Sequence, residues 1–170
     1  MKKAFTLIEL LVVIVLMAII AGMTVPAFIG MGRGAAMRGE TASIRAKLSL
    51  CRQWAVTHRE KVVFYWFADS ATNSSCYYIA SEDGTIIEKT SEISKDVMFI
   101  ISDGTAFDSI TIDTMGQIKI TEGDKDVEKD ANGTLWKCVT IADRKSVARG
   151  SGVIIKKVRS NWLGGILAGD

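Results

Sequence analysis

Four groups of residues in this chain are of a type and spacing that can do chemistry. Glu9 stands at the head of a segment with no other charge. From Leu10 to Ile29 the sequence reads LLVVIVLMAIIAGMTVPAFI, twenty residues in which Thr24 is the sole polar side chain. A carboxylate there either snorkels to a membrane surface or awaits a cationic partner in an assembly. Cys51, Cys76 and Cys138 are odd in number. In an oxidising compartment one disulfide can form, with Cys76 and Cys138 the favoured pair because both fall in strand-like runs; the alternative is three separate buried thiols. Asp124, Asp126, Glu128, Asp130 and Asn132 alternate as calcium ligands do. An EF-hand counted from Asp124 needs glycine at its sixth position and an acid at its twelfth, where Lys129 and Leu135 stand, so loop 122–132 reads as a solvated acidic loop. Last, Arg144, Lys145, Arg149, Lys156, Lys157 and Arg159 form a tract with no acid between Arg144 and Asp170. Such a tract can meet nucleic-acid phosphates, or the acidic middle of a neighbouring subunit, which is the favoured reading.

Other chemistry is excluded. A single histidine, His58, argues against a zinc site or a His-based triad. Gly30-Met31-Gly32-Arg33-Gly34-Ala35 fits a dinucleotide fingerprint only superficially. Pro26 blocks a preceding strand, and no acid follows at the spacing a ribose needs. With no nucleophile–base pair, metal set or phosphate loop, the chain reads as a non-enzyme without a cofactor.

The elements that must position these residues follow from length and charge. The chain has 170 residues, 48% of them apolar, with 21 basic and 19 acidic side chains, enough for one modest domain. Charge is segregated. Residues 1–30 carry Lys2 and Lys3 against Glu9, and 31–61 carry seven bases and two acids. Residues 62–130 carry five bases and fourteen acids, and 131–170 carry seven and two. A near-neutral total thus hides a dipolar molecule. The uncharged run, at ~1.5 Å per residue, spans roughly 30 Å, a bilayer's hydrocarbon core. The lysines before it favour a cytoplasmic N-terminus. A secretory signal would be shorter and would end in a small-residue cleavage site, which Val25-Pro26-Ala27 matches poorly.

The N-terminal residues are more specific than an ordinary anchor. Lys2-Lys3-Ala4 precedes Phe5-Thr6-Leu7-Ile8-Glu9-Leu10-Leu11. This resembles the class III signal of type IV prepilins and pseudopilins. The resemblance implies that a prepilin peptidase cuts between Ala4 and Phe5 and methylates the new amine of Phe5. Glu9 is then the fifth residue of the mature chain, with an assembly role. Pro26 falls where that family commonly has a helix-bending proline. The family usually has glycine before the cut, and this chain has Ala4. Loss of residues 1–4 removes both lysines and leaves 19 bases against 19 acids.

Beyond the anchor, Gly30, Gly32, Gly34 and Gly39 mark a soft spot, because each glycine costs a helix about 1 kcal/mol relative to alanine. With Pro26 they offer a place where the helix bends or melts. Helical periodicity resumes from Glu40 to about Arg59, with Ile44, Leu48, Cys51 and Ala55 on one stripe. From Lys61 the period shortens. Residues 62–67, 76–80, 85–88, 97–101, 109–112, 117–121, 135–141 and 153–158 read as strands, and 109–121 as a hairpin turning at Met115-Gly116. Turn chemistry at Glu82-Asp83-Gly84, Ser102-Asp103-Gly104 and Asn132-Gly133 separates others. The short apolar tail 162–167 reads as docked and not membrane-spanning.

The expected organisation is therefore a leader at 1–4, a transmembrane and assembly helix at 5–30, a glycine-rich bend and amphipathic helix at 31–59, and a periplasmic antiparallel β domain at 60–170. The fold class is α+β, a long N-terminal helix packed on an antiparallel sheet. The helix Ser43–Ala55 running into a strand, the Met115-Gly116 hairpin and a strand near the C-terminus resemble the H-type minor pseudopilins, the GspH/FimT group. That resemblance implies a structural subunit of a type II secretion pseudopilus in the bacterial inner membrane, with the prepilin peptidase and other pseudopilins as partners. The alternative is a minor pilin of a type IV pilus, able to bind DNA through its basic C-terminal tract.

Overall fold

The computed structural model describes residues 6–69, 74–101, 107–120, 127–150, 152–161 and 165–169, without the side chains of 25–33, 69 and 169. The cleavage pair Ala4 and Phe5, the Ser102-Asp103-Gly104 turn, Asp124, Asp126 and Trp162–Gly164 lie outside the described residues, as do the side chains of Pro26 and of the glycine-rich 30–33. The chain forms two compact units, residues 1–35 and 36–170.

One helix, α1, runs from Leu7 to His58. Its backbone stays helical through Pro26 and the glycines, where the sequence offered a place to melt. In the second unit the buried stripe is Met37, Thr41, Ile44, Leu48, Cys51 and Ala55, at alternating spacings of four and three. The expected stripe is thus present and begins two turns earlier than Ile44. Thr41 is accommodated because its hydroxyl donates to the Met37 carbonyl at 2.7 Å. Arg59, in the left-handed region at φ 55°, ends the helix.

Two antiparallel sheets follow. The first contains β1 (Val62–Asp69), β2 (Ser74–Ser81), β3 (Ile86–Glu92) and β5 (Phe107–Ile112), in the order β3-β2-β1-β5. The second contains β4 (Val97–Ile100), β6 (Val127–Lys129), β7 (Leu135–Asp143), β8 (Ile155–Asn161) and β9 (Ile166–Gly169), in the order β4-β7-β8-β9 with β6 also on β7. A short helix α2 (Arg144–Arg149) connects β7 to β8. This is the expected α+β architecture, with the sheet split in two.

The period-two side chains Phe64, Trp66, Tyr77, Ile79, Ile110 and Ile112 of the first sheet turn inward, as do Val97, Phe99, Val139, Ile141 and Val158 of the second. Both sets and the α1 stripe form one core. Each such side chain contributes about 1.5–3 kcal/mol by leaving water. Lys47 of α1 and Glu88 of β3 form an ion pair between helix and sheet, and the bond to Glu88 raises the lysine's pKa.

Three elements differ from expectation. The hairpin turn at Asp113–Gly116 forms: Asp113 Oδ1 accepts from the amides of Met115 and Gln117 at 2.9 and 2.8 Å. Its returning strand reduces to one bridge, Ile112 to Ile118. Burial positions this segment, for Ile118 is in the core and Ile120 packs against it. The acidic stretch expected to be loop contains β6, paired with β7 at Glu128–Trp136. Part of the basic tract is α2, capped by Asp143, which accepts from the Ser146 amide at 2.8 Å, and closed by left-handed Gly150.

Candidate functional site

The first unit presents the N-terminal site. Thr6 and Glu9 form a reciprocal cap at the start of α1. The Thr6 amide and hydroxyl each donate to Glu9 Oε2 at 2.9 Å, and the Glu9 amide donates to Thr6 Oγ1 at 3.3 Å. This is the capping box that a Thr-x-x-Glu spacing ahead of an apolar run can make. The Thr6-x-x-Glu9 spacing ahead of the apolar run is the signal for this cap in the sequence. Both partners lie beyond the expected cut, so removal of residues 1–4 leaves the cap intact.

From Leu7 to Thr24 every side chain is exposed. A helix apolar on all sides, with nothing covering it, belongs in lipid or against similar helices. Its length and composition fit a single-pass membrane anchor. Beyond Glu9 the sole polar side chain of this stretch, Thr24, returns its hydroxyl to the Ile20 carbonyl at 3.1 Å, so its donor is satisfied within the helix.

The cysteines do not meet. Cys51 is on α1, Cys76 on β2 in the first sheet, and Cys138 on β7 in the second; all three are buried free thiols. The expected Cys76–Cys138 bridge is absent, and the arrangement is that of three separate thiols. Burial, then the nearby Glu88, pushes the Cys51 thiol up to about 12. Burial and Glu128 push Cys138 to about 11. Thiols held so far from ionisation are poor nucleophiles and poor metal ligands.

The basic tract is one cluster in sequence and three in space. Arg144, Lys145 and Arg149 belong to α2, where Arg144 donates to the Val97 carbonyl at 3.4 Å and Lys145 lies 3.8 Å from Asp96. In β8 the pleat alternates: Val158 is buried, while Lys157 and Arg159 point to the opposite face. There they meet Glu128 of β6, which pairs with Lys157 Nζ and lies 3.2 Å from Arg159 Nε. The Lys157 hydrogen bond, against some desolvation, holds the Glu128 carboxyl below its usual range. Lys156 lines a cleft beside α1 with Arg38 and Arg45. Asp130, one of the alternating acids, is occupied by its own turn. It accepts from the amides of Asn132 and Thr134 at 2.9 and 2.8 Å and from the Trp136 indole at 3.1 Å.

Residues 1–25 match the family model of the prokaryotic N-terminal methylation motif. The chain carries a prepilin-type N-terminus. The match covers the cleavage pair, Glu9 and the apolar run as far as residue 25, and supports a type IV pilin-like or pseudopilin protein. A prepilin-type signal of this class implies processing by a prepilin peptidase and assembly with other pilin-type subunits. No curated protein and no solved structure matches the chain.

Proposed function

We propose that the chain is a minor pseudopilin, a non-enzymatic structural subunit of a type II secretion pseudopilus. Its N-terminus is cytoplasmic, Leu7–Thr24 spans the inner membrane, and residues 36–170 form a periplasmic body. One observation carries this reading: an uncovered, wholly apolar helix starts at a Thr6–Glu9 cap directly behind a prepilin-type cleavage signal. The direct passage of α1 into β1 and the strand β8 near the C-terminus support the H-type assignment. A type IV pilus minor pilin shares the same N-terminus and is the alternative; DNA capture by the C-terminal tract is disfavoured by its division among three places.

In this reading Glu9 meets the processed Phe5 amine of an axially staggered neighbour in the fibre. A buried carboxylate left without such a partner costs on the order of 3–5 kcal/mol. The test is Glu9→Ala and Glu9→Leu in the native host, beside Thr6→Val, which loses the cap hydroxyl and keeps the acid. The glutamate variants should insert and be cleaved while crosslinks to other pilin-type subunits and secretion fall. Thr6→Val should crosslink and secrete. Wild-type crosslinking and secretion by both glutamate variants would overturn the assembly role, and an equal defect in Thr6→Val would reduce Glu9 to a cap.

A further inference from the structure

The second unit has a groove that the N-terminal reading leaves without a use. Arg38, Arg45 and Arg52 recur every seven residues along α1. At ~1.5 Å per residue they are about 10 Å apart on nearly the same face, a row of roughly 21 Å. Opposite them stands β9, whose Ile166 and Ala168 point toward the helix. Two adjoining clefts of about 450 and 530 Å³ share Arg45 and Ser49 and are walled by these residues. Lys156, the tract residue turned away from Glu128, closes one end.

Three features define what fits. No acid lines either cleft among the described residues, and Arg38 and Arg45 are exposed. The exposed guanidinium groups of Arg38 and Arg45 favour an anionic partner. Between the arginines the lining is of small side chains, Ala42, Ala46 and Ser49, with Thr41, Val56 and Thr57 beside them, which leaves room for the side chains of a partner. Finally, β9 is the last strand of its sheet among the described residues, paired on one side with β8. In an antiparallel ladder alternate residues aim both backbone groups away from the partner, so an edge strand offers a template for another extended chain.

We propose that this groove binds an extended acidic segment of a partner polypeptide, its backbone laid along β9 and its carboxylates on Arg38 and Arg45. About six residues of extended chain, at ~3.4 Å each, span the arginine row. The site lies within residues 36–170 and is independent of the prepilin-type signal, so failure of either leaves the other standing.

The experiment uses the full chain in detergent and a fluorescent ten-residue peptide alternating glutamate and valine, followed by anisotropy. Saturable binding that weakens with salt is expected, with a loss of about tenfold or more in Arg38→Glu/Arg45→Glu. Both side chains are exposed, and unchanged circular dichroism of the variant would establish that the fold survives. Arg149→Glu, on α2, should bind as wild type does. A peptide methylated on alternate backbone nitrogens should bind more weakly, because it cannot complete the ladder. The proposal fails if the wild type does not bind, if the double variant binds equally, or if the methylated peptide is unaffected. It fails too if duplex DNA, or phosphatidylglycerol added as mixed micelles, displaces the peptide at equal charge concentration, which would make the groove a general polyanion site.

Discussion

Gly116 is where the hairpin turn meets the second half of α1, and replacing it should cost more than conformational strain alone. Its φ of 76° lies in the left-handed region, and a Cβ there would come within 2.9 Å of Arg52 Cγ and 3.0 Å of Val56 Cγ2. Gly150, at the end of α2, has a similar φ of 67° with nothing within 4 Å. The left-handed conformation costs an alanine roughly 1–2 kcal/mol at either site. At Gly116 overpacking adds roughly 1–3 kcal/mol, because Arg52 Nε, also at 3.0 Å, can swing away but Arg52 Cγ and Val56 Cγ2 lie near the helix backbone. Gly116→Ala should therefore destabilise by about 2–5 kcal/mol and Gly150→Ala by about 1–2. Urea titration followed by the emission of buried Trp66 reads both. Val56→Ala should recover part of the Gly116→Ala loss in a double-mutant cycle, since one of the three close contacts is with Val56. If Gly116→Ala falls within ~0.5 kcal/mol of Gly150→Ala, the turn does not press on the helix as described.

Three further outcomes follow from the packing. A chain of residues 36–170 should unfold at higher urea than one of residues 40–170, because the shorter loses the buried Met37, worth about 1.5–3 kcal/mol; equal midpoints would contradict the packing of the early helix turn. Glu128 is held below its usual pKa by Lys157, so its contribution is present above the unfolded value of 4.5 and is lost as pH falls through the lower folded value. Glu128→Gln should cost about 0.5–1 kcal/mol at pH 7 and nothing at pH 2, a difference that a pair of urea titrations measures; an equal cost at both pH values would refute the pairing. All three thiols should resist a maleimide reagent in the folded chain and react on unfolding, with no change in stability on adding reductant; a reductant-sensitive midpoint would reinstate a disulfide.

Periodicity carried the information wherever burial and local pattern coincide. Ile44, Leu48, Cys51 and Ala55 repeat at helical spacing and occupy the core, and the runs around Phe64, Ile79 and Val139 alternate and form strands. The pattern failed where long-range partners decide. Met37 sits among glycines that weaken a helix locally, yet its side chain is in the core. Residues 117–121 alternate as a strand does, but Ile118 is drawn inward and the ladder stops at one bridge. β9, which ends Leu167-Ala168-Gly169, has little strand propensity of its own and exists through its register with β8. The basic tract misled for a related reason: neighbours in sequence alternate across a pleat, so Lys156 and Lys157 serve different surfaces. Its helical part could have been read from Asp143 and Gly150, which bracket α2 as N-cap and C-terminal glycine.

The most direct test of a prepilin-type subunit is the mass of its N-terminus. Protein purified from a host with an active prepilin peptidase should begin at Phe5, lack residues 1–4 and carry one additional methyl group on its amine. Ala4→Gly should be processed at least as fast as the native sequence. An intact Met1, or a chain cut after Ala27, would contradict the account.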